Sequence, residues 1–434
     1  MAYLEHDNEF GESFLSKLEI IEKNIIELYK TRDQYIDNCK NKPIRLHAST
    51  INSKSAFACL SAISKNQITM GKTVSNYENL FGKYLKKNYE ILSCNSGSSA
   101  NLLAISTLFQ NGLLKKGDKI IVPALSWSTT VFPLVQYGLI PVFCDSNDHD
   151  FNISVKQIEE LTEEHEIKGI MLIHTYGCPV DMDLLNQICK SKNLILIEDT
   201  CESMGAEWGG EKVGTFGLCS SFSTYYSHHI CTLEGGFVCF QNKELSAIAE
   251  SVRSHGWIRH LSKDKQIFKD YSNLDPGFLF AHIGYNLRLS EPQAAIGIEQ
   301  LNLLDTFISK RTIVAKEYLK FFQNNEDLFS FQKPNVKAKS SWFGFPLILK
   351  GKLKNERKSL RTFLLNKRIE TRPFLAGDFT LQPVVNQFDH IKSSELSISR
   401  KIAESGLAIP CHQSLNEENA SFVIEALKEF ISKI

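Results

Sequence analysis

EILSCNSGSSANLLAISTLFQNGLLKKGDKIIVPALSW, residues 90–127, is the stretch from which the fold is read. A short apolar run (90–94) gives way to a turn of small polar residues. An amphipathic helical pattern follows (99–114), and then a second apolar run (119–124). The pattern repeats outward at LIPVFCD (139–145), GIMLIHT (169–175), LILIED (194–199) and GGFVCF (235–240), with helical stretches such as DMDLLNQICKSKN (181–193) between most of the runs. Apolar strands alternating with helices predict an α/β protein with a mainly parallel sheet covered on both faces. In such sheets ligands bind beyond the carboxyl ends of the strands.

On the N-terminal side, Phe14, Leu18, Ile21, Ile25 and Leu28 recur at helical spacing, predicting one amphipathic helix over residues 10–30 that packs on the main body or on a second subunit. A polar break follows at 37–47. On the C-terminal side, residues 290–323 read as one long helical segment. The pattern then changes at 334–340 to SWFGFPLIL, a helix-like KNERKSLRTFLLNKR and a closing helix over 416–434. The expected organisation is a helical extension (1–45), a large domain (46–325) and a small C-terminal α+β domain (326–434).

Lysine plus arginine equals aspartate plus glutamate, 49 each in 434 residues, so the basic excess of a nucleic-acid or polybasic membrane binder is missing. No apolar run reaches the roughly 18 to 20 residues that cross a bilayer. The acidic N-terminus, without lysine or arginine, does not read as a secretory signal. The 11 cysteines are odd in number and form no CxxC pair, which fits reduced thiols in a cytoplasmic protein.

Four stretches follow predicted strands. Asn95-Ser96-Gly97-Ser98-Ser99 opens a helix, where free N–H groups and hydroxyls can hold a phosphate, although Gly and Ser also serve simply to turn the chain. Trp127 stands past the next strand, able to stack on a flat ring or to fill a core. Asp199 ends LILIED, as a partner for a protonated pyridine nitrogen or as a helix cap. SSFSTYYSHHICTLEGG (220–236) brings Ser223, two tyrosines and His228-His229 ahead of a Glu-Gly-Gly turn, with no lysine between Lys212 and Lys243. Phosphate cradle, ring stacker, acid and base together suggest pyridoxal phosphate.

This set resembles the DegT/DnrJ/EryC1/StrS sugar aminotransferases over roughly residues 45 to 415. TMGKTVSNYENLFGKYL (69–85), NSGSSANLLA (95–104), VPALSWSTTVFPLVQYGLIPVFCD (122–145), IEDTCESMGA (197–206), GTFG (214–217), EGG (234–236), RSHGW (253–257) and GYNLRLSEPQAAIG (284–297) fall in the family's order. The resemblance implies the fold-type I pyridoxal-phosphate aminotransferase fold. Most members carry a cofactor-binding lysine six residues before the glutamate of EGG; here that place is His228. The histidine-for-lysine 3-dehydratase branch, whose members make 3,6-dideoxy sugars, is the nearest in pattern.

The implied cofactor residues are Ser98, Ser99 and Ser223 for the phosphate, Trp127 over the ring, Asp199 at its nitrogen, Glu202 near its hydroxyl where aminotransferases often have glutamine, and Asn286 reaching across a homodimer. His228 is the implied acid/base, with an ordinary imidazole pKa near 6.5 taken to suit both roles. ETRPFLAGDFTLQP (370–383) resembles a branch motif usually written AGN, with Asp378 in place of the asparagine. The implied reaction is loss of the C3 hydroxyl from a nucleotide-linked 4-keto-6-deoxyhexose for surface-polysaccharide biosynthesis. Pyridoxamine phosphate would be regenerated by an amino donor such as glutamate, with no metal. An iron–sulfur, reductase-coupled CDP-sugar enzyme and a pyridoxal-phosphate-binding protein without turnover are the alternatives. The cysteine-free span 240–410 weighs against the first, and the retained Ser223, Asp199 and Trp127 against the second.

Overall fold

The computed structural model describes residues 10–38, 42–262, 265–393 and 395–434; the N-terminal nine residues and Cys39 lie outside them. Seven strands build most of one large sheet: β1 (Glu90–Cys94), β2 (Lys119–Pro123), β3 (Ile140–Cys144), β4 (Ile167–Ile173), β5 (Ile195–Asp199), β6 (Cys219–Ser223) and β7 (Gly236–Phe240). Their order is β1-β7-β6-β5-β4-β2-β3, with Ile391–Lys392 added in parallel beyond β3. Only β7 runs against its neighbours, pairing antiparallel with both β1 and β6. The architecture is α/β, with the mainly parallel sheet expected from the sequence.

All the predicted apolar runs are strands. β6 was not among them, because CSSFS reads as polar, yet every residue of it is buried. Its hydroxyls are satisfied inside: Ser220 Oγ donates to the Gly214 carbonyl at 2.7 Å, and Ser221 Oγ donates to Asn101 Oδ1. A buried hydroxyl costs little once it is bonded.

The predicted N-terminal helix extends over α1 (Glu12–Asn38) and packs on α2 (Ser53–Ser64), burying Leu18 while Leu15, Ile20 and Leu28 stay exposed. The single segment expected over 290–323 is two helices, Glu291–Leu301 and Leu304–Gln323. The first begins with a capping box on Ser290 and Gln293 and ends where the buried Gln300 amide turns aside to the Thr50 carbonyl and Ser55 Oγ, 2.9 Å each.

A four-stranded antiparallel sheet in the C-terminal part orders Phe329–Phe331, Phe345–Leu349, Gly406–Ile409 and Arg372–Pro373. Arg311, fully enclosed on the helix Leu304–Gln323, donates to the carbonyls of Trp342 (3.0 Å), Phe343 (3.1 Å) and Cys411 (2.9 Å) and to Gln413 Oε1 (3.0 Å). No carboxylate pairs with it among the described residues, and burial draws its pKa down to about 10. Among the described residues no helix is long and apolar enough to cross a membrane.

Candidate active site

The carboxyl ends of β1, β5 and β6 open onto a cavity of about 490 Å³. Ser96, Gly97, Ser98, Trp127, Asp199, Glu202, Ser223, His228 and Arg372 are among its walls. Six of the residues singled out from the sequence therefore meet there with His228 among them: Ser98, Trp127, Asp199, Glu202 and Ser223 complete the group. Ser99 sits one position behind. Its N–H is bonded to Ser96 Oγ at 3.0 Å as the cap of α4, numbered here after α3 (Lys72–Leu85) and spanning Gly97–Gln110. Asn286 lies outside the cavity of its own chain, its Oδ1 accepting from Arg288 Nε at 2.9 Å.

At one end of the cavity, Ser96, Gly97 and Ser98 at the start of α4 lie beside Ser223. A Cβ at Gly97 would come within 2.6 Å of Ser223 Cβ and 2.8 Å of Cys201 Sγ. A Cβ at Gly236 would meet the Gly97 nitrogen at 2.8 Å. The EGG turn and the helix start are thus pressed together, leaving a concave cradle of donors that suits an anion.

Asp199 ends β5 and is 5% exposed. Its Oδ2 accepts from Asn101 Nδ2 and Thr130 Oγ1, 2.8 Å each, and its Oδ1 from the Cys201 N–H at 3.2 Å. Oδ1 keeps acceptor capacity toward the cavity, where a protonated ring nitrogen would complete it. Asn101 and Thr130 were missed in the sequence. The only signal for Asn101 was an amide in the apolar run ANLLAI, and Thr130 gave none. The neighbouring Glu198 points to the opposite side of the strand. It accepts N–H bonds from Gly214 (2.7 Å), Phe216 (2.8 Å) and Gly217 (2.6 Å), and pairs with His174 Nε2 at 3.1 Å, so GTFG is a turn folded around one buried carboxylate.

Glu202 accepts the Tyr176 N–H at 3.1 Å. Burial pushes its pKa up to about 7, against the opposing pull of Arg372. A carboxyl with a pKa near neutrality can offer the cavity either a donor or an acceptor.

His228 carries a correction. Burial lowers its pKa to about 4, with the charges of Arg311 and Arg372 adding to the fall and the Cys201 backbone opposing it, so the ordinary value near 6.5 does not hold. Its Nδ1 has no hydrogen-bond partner, and Phe343 packs edge-on at 4.9 Å between ring centres. The group is neutral at pH 7, and once protonated it is a stronger acid than an ordinary imidazolium. His229 faces away, Nε2 on the Ser341 carbonyl at 3.0 Å. Asp378 does not line the cavity either. It is 2% exposed, and its Oδ1 accepts from the Thr380 N–H (3.0 Å) and hydroxyl (2.7 Å), which turns the loop that brings Leu375 to the wall.

One stability prediction arises here. The pKa values of the buried His229 and His412 are both lowered by burial, to about 3 for His412, while the unfolded values stay near 6.5. Below pH 6.5 the unfolded chain then binds more protons than the folded one, so stability is complete above that pH and declines as pH falls toward 4. Urea midpoints measured from pH 7.5 to 4.5 are expected to drop through this window, and less so in His412→Gln. A flat profile would contradict the burial.

Against known proteins, the DegT/DnrJ/EryC1/StrS aminotransferase family model matches residues 50–428. GDP-4-keto-6-deoxy-D-mannose 3-dehydratase of Yersinia pseudotuberculosis is 37% identical over 389 residues, 88% of this chain and 98% of the relative. The lipopolysaccharide biosynthesis protein RfbH of Salmonella typhimurium is 32% identical, over 84% of this chain and 86% of that one. A solved GDP-4-keto-6-deoxymannose-3-dehydratase with a trapped PLP-glutamate geminal diamine superposes with a TM-score of 0.83 at 36% identity, over 88% of this chain and all of the other. The Escherichia coli enzyme with bound hydrated PLP gives 0.84, over 90% of this chain and all of the other.

Proposed function

Because this chain belongs to the DegT/DnrJ/EryC1/StrS aminotransferase family, we propose that it is a pyridoxal-phosphate-dependent lyase that removes the C3 hydroxyl of a nucleotide-linked 4-keto-6-deoxyhexose. GDP-4-keto-6-deoxymannose, in the service of surface-polysaccharide biosynthesis, is the favoured substrate. The observation that carries this reading is that His228, six residues before the glutamate of EGG where the family pattern has lysine, lines the cavity. A site without that lysine cannot hold the cofactor covalently, so retention rests on Ser98, Ser223, Trp127, Asp199 and Glu202.

Bound pyridoxamine phosphate supplies the nitrogen for the 4-keto group and a ring that takes up electrons. His228 moves the proton. Its neutral imidazole takes one from the cofactor's C4′ carbon and returns it to the departing C3 oxygen. The depressed basicity makes the second transfer the easier one. Asp199, fixed by Asn101 and Thr130, holds the ring nitrogen protonated. Purified protein with pyridoxal phosphate and glutamate is expected to release ammonia from the GDP-linked 4-keto-6-deoxyhexose, with the CDP- and dTDP-linked sugars as comparisons. No release from any of the three would refute the reading.

Two further expectations belong to it. Anaerobically purified protein is expected to carry no iron, on the warrant of the cysteine-free span 240–410. Stoichiometric iron with a charge-transfer band would favour the reductase-coupled chemistry. The chain is also proposed to act as a homodimer in which Asn286 serves the partner's phosphate. Support comes from the surface next to Asn286, where Phe278, Phe280 and Ile283 are 66%, 54% and 79% exposed. Mixing His228→Ala with Asn286→Ala chains is expected to restore up to about a quarter of the sites, since each mixed dimer holds one intact and one doubly damaged site. Verified subunit exchange without recovery would rule out sharing.

A further inference from the structure

The helix α1 precedes residue 50, where the family match begins, and none of its residues lines the cavity. Its inner stripe, Phe14, Leu18, Ile21, Ile25 and Tyr29, is buried or half-buried, and the helix packs on α2. A second stripe lies uncovered. Ile20, Asn24, Leu28, Thr31 and Tyr35 follow one another at steps of 4, 4, 3 and 4 residues, and all five are exposed. That is the spacing of one helix face. Its apolar members Ile20, Leu28 and Tyr35 are 57%, 65% and 74% exposed. At 3.6 residues per turn this face stands roughly 110° around the helix from the inner one, so α1 can rest on its own body and still present the stripe.

The stripe fits a second copy of itself. Ile20 stands four residues before Asn24 and Leu28 four after it. An antiparallel copy with Asn24 on the two-fold axis therefore lays Ile20 of each chain against Leu28 of the other. The two Asn24 amides meet on the axis, where each can donate to and accept from its mate, and one polar position in an apolar seam fixes its register. Charge agrees with this arrangement. Lys23 and Glu27 share the flank of the stripe that is turned away from α2, and in this register Lys23 of either chain faces Glu27 of the other. Within its own chain, Lys23 closes no ion pair among the described residues, and Glu27 meets only the exposed Lys30, at 3.8 Å. We propose that α1 pairs antiparallel with α1 of a second copy along the seam Ile20, Asn24, Leu28, Thr31 and Tyr35. The pairing makes no use of the cavity, so it stands or falls separately from the proposed chemistry.

Disulfide trapping in the full chain tests it. A position on the two-fold meets itself, so Asn24→Cys is expected to give a covalent dimer on mild oxidation, above the wild-type background. Glu19→Cys, on the far side of the helix, is expected to stay at background. Charge exchange then tests the register in the Asn24→Cys chain. Lys23→Glu and Glu27→Lys each turn two attractions into two repulsions, and either is expected to slow trapping at position 24 about 5- to 100-fold. Mixing the two variants, or placing both changes in one chain, restores opposite charges across the seam and should restore the rate. All of these positions are exposed, so the fold is not at stake.

Equal trapping at 19 and 24, or none at 24, would overturn the pairing. Single charge changes that leave the rate untouched would overturn it too. Vesicles of anionic phospholipid offer the competing surface: wild-type binding that is lost on changing Ile20→Ser together with Leu28→Ser would assign the stripe to a membrane surface instead.

Discussion

His228→Lys is expected to acquire covalently held cofactor, trapped by borohydride at position 228, and to lose dehydration about 100- to 10,000-fold, the usual range for a lost general base. The position lines the cavity and has an unpartnered ring nitrogen, so a lysine amine there reaches into the same space. Attack on the cofactor's aldehyde needs the neutral amine. Burial and the charges of Arg311 and Arg372, which already depress the imidazole, would lower a lysine pKa in the same direction. His229→Lys is the control. Its ring is turned to the Ser341 carbonyl and fully buried, so that variant is expected to trap nothing and to lose stability. Trapping in wild type, or at 229 in place of 228, would show the register to be wrong.

Asp199→Asn carries the second large effect. The carboxylate collects bonds from Asn101, Thr130 and the Cys201 N–H, and its remaining acceptor is the group for a protonated ring nitrogen. Asparagine can keep its oxygen toward Asn101 and Thr130, but it then turns an NH₂ to the ring and opposes protonation. Conversion of bound pyridoxal phosphate by glutamate is expected to fall about 100- to 1,000-fold, the scale for losing one preorganised electrostatic partner of a transition state. The thermal midpoint of the cofactor-free chain should change by only a few degrees, since both buried donors keep an acceptor. Undiminished conversion would remove Asp199 from the ring nitrogen; collapse of the cofactor-free protein would make it structural.

The contrast between Asp199 and Asn101 shows what sequence can carry. An acid at the end of a uniformly apolar strand stands out against its surroundings, and six such runs were enough to draw the parallel sheet. Asn101 is a single amide on a buried helix face, and what makes it matter is a carboxylate 98 positions away. β6 was hidden for a related reason. A strand whose serines bond inward to Gly214 and Asn101 has no hydrophobic signature to read. Gln300, two residues before the break at 302–303, bonds to groups 245 and 250 residues back along the chain, which the local pattern cannot show. His228 was located by spacing alone, but its basicity was misjudged, because burial and two arginines distant in sequence set it. Asp378 was marked as a departure from pattern, and its Oδ1 holds a turn by accepting from the Thr380 N–H and hydroxyl.

Arg311 ties together three pieces of chain: its own helix, the segment 342–343, and Cys411 with Gln413. Such a rivet lets none of them slide without the others. Phe343, which leans on His228, is therefore geared to the end of the small sheet at Ile409 and to the helix Glu417–Ile431 that follows it. A shift of any one of these pieces would strain the Arg311 bonds to the others, and Phe343, whose ring centre is 4.9 Å from that of His228, is held in the same set. In deuterium exchange, the amides around Phe343 and Gln413 would then slow in step when a sugar nucleotide enters.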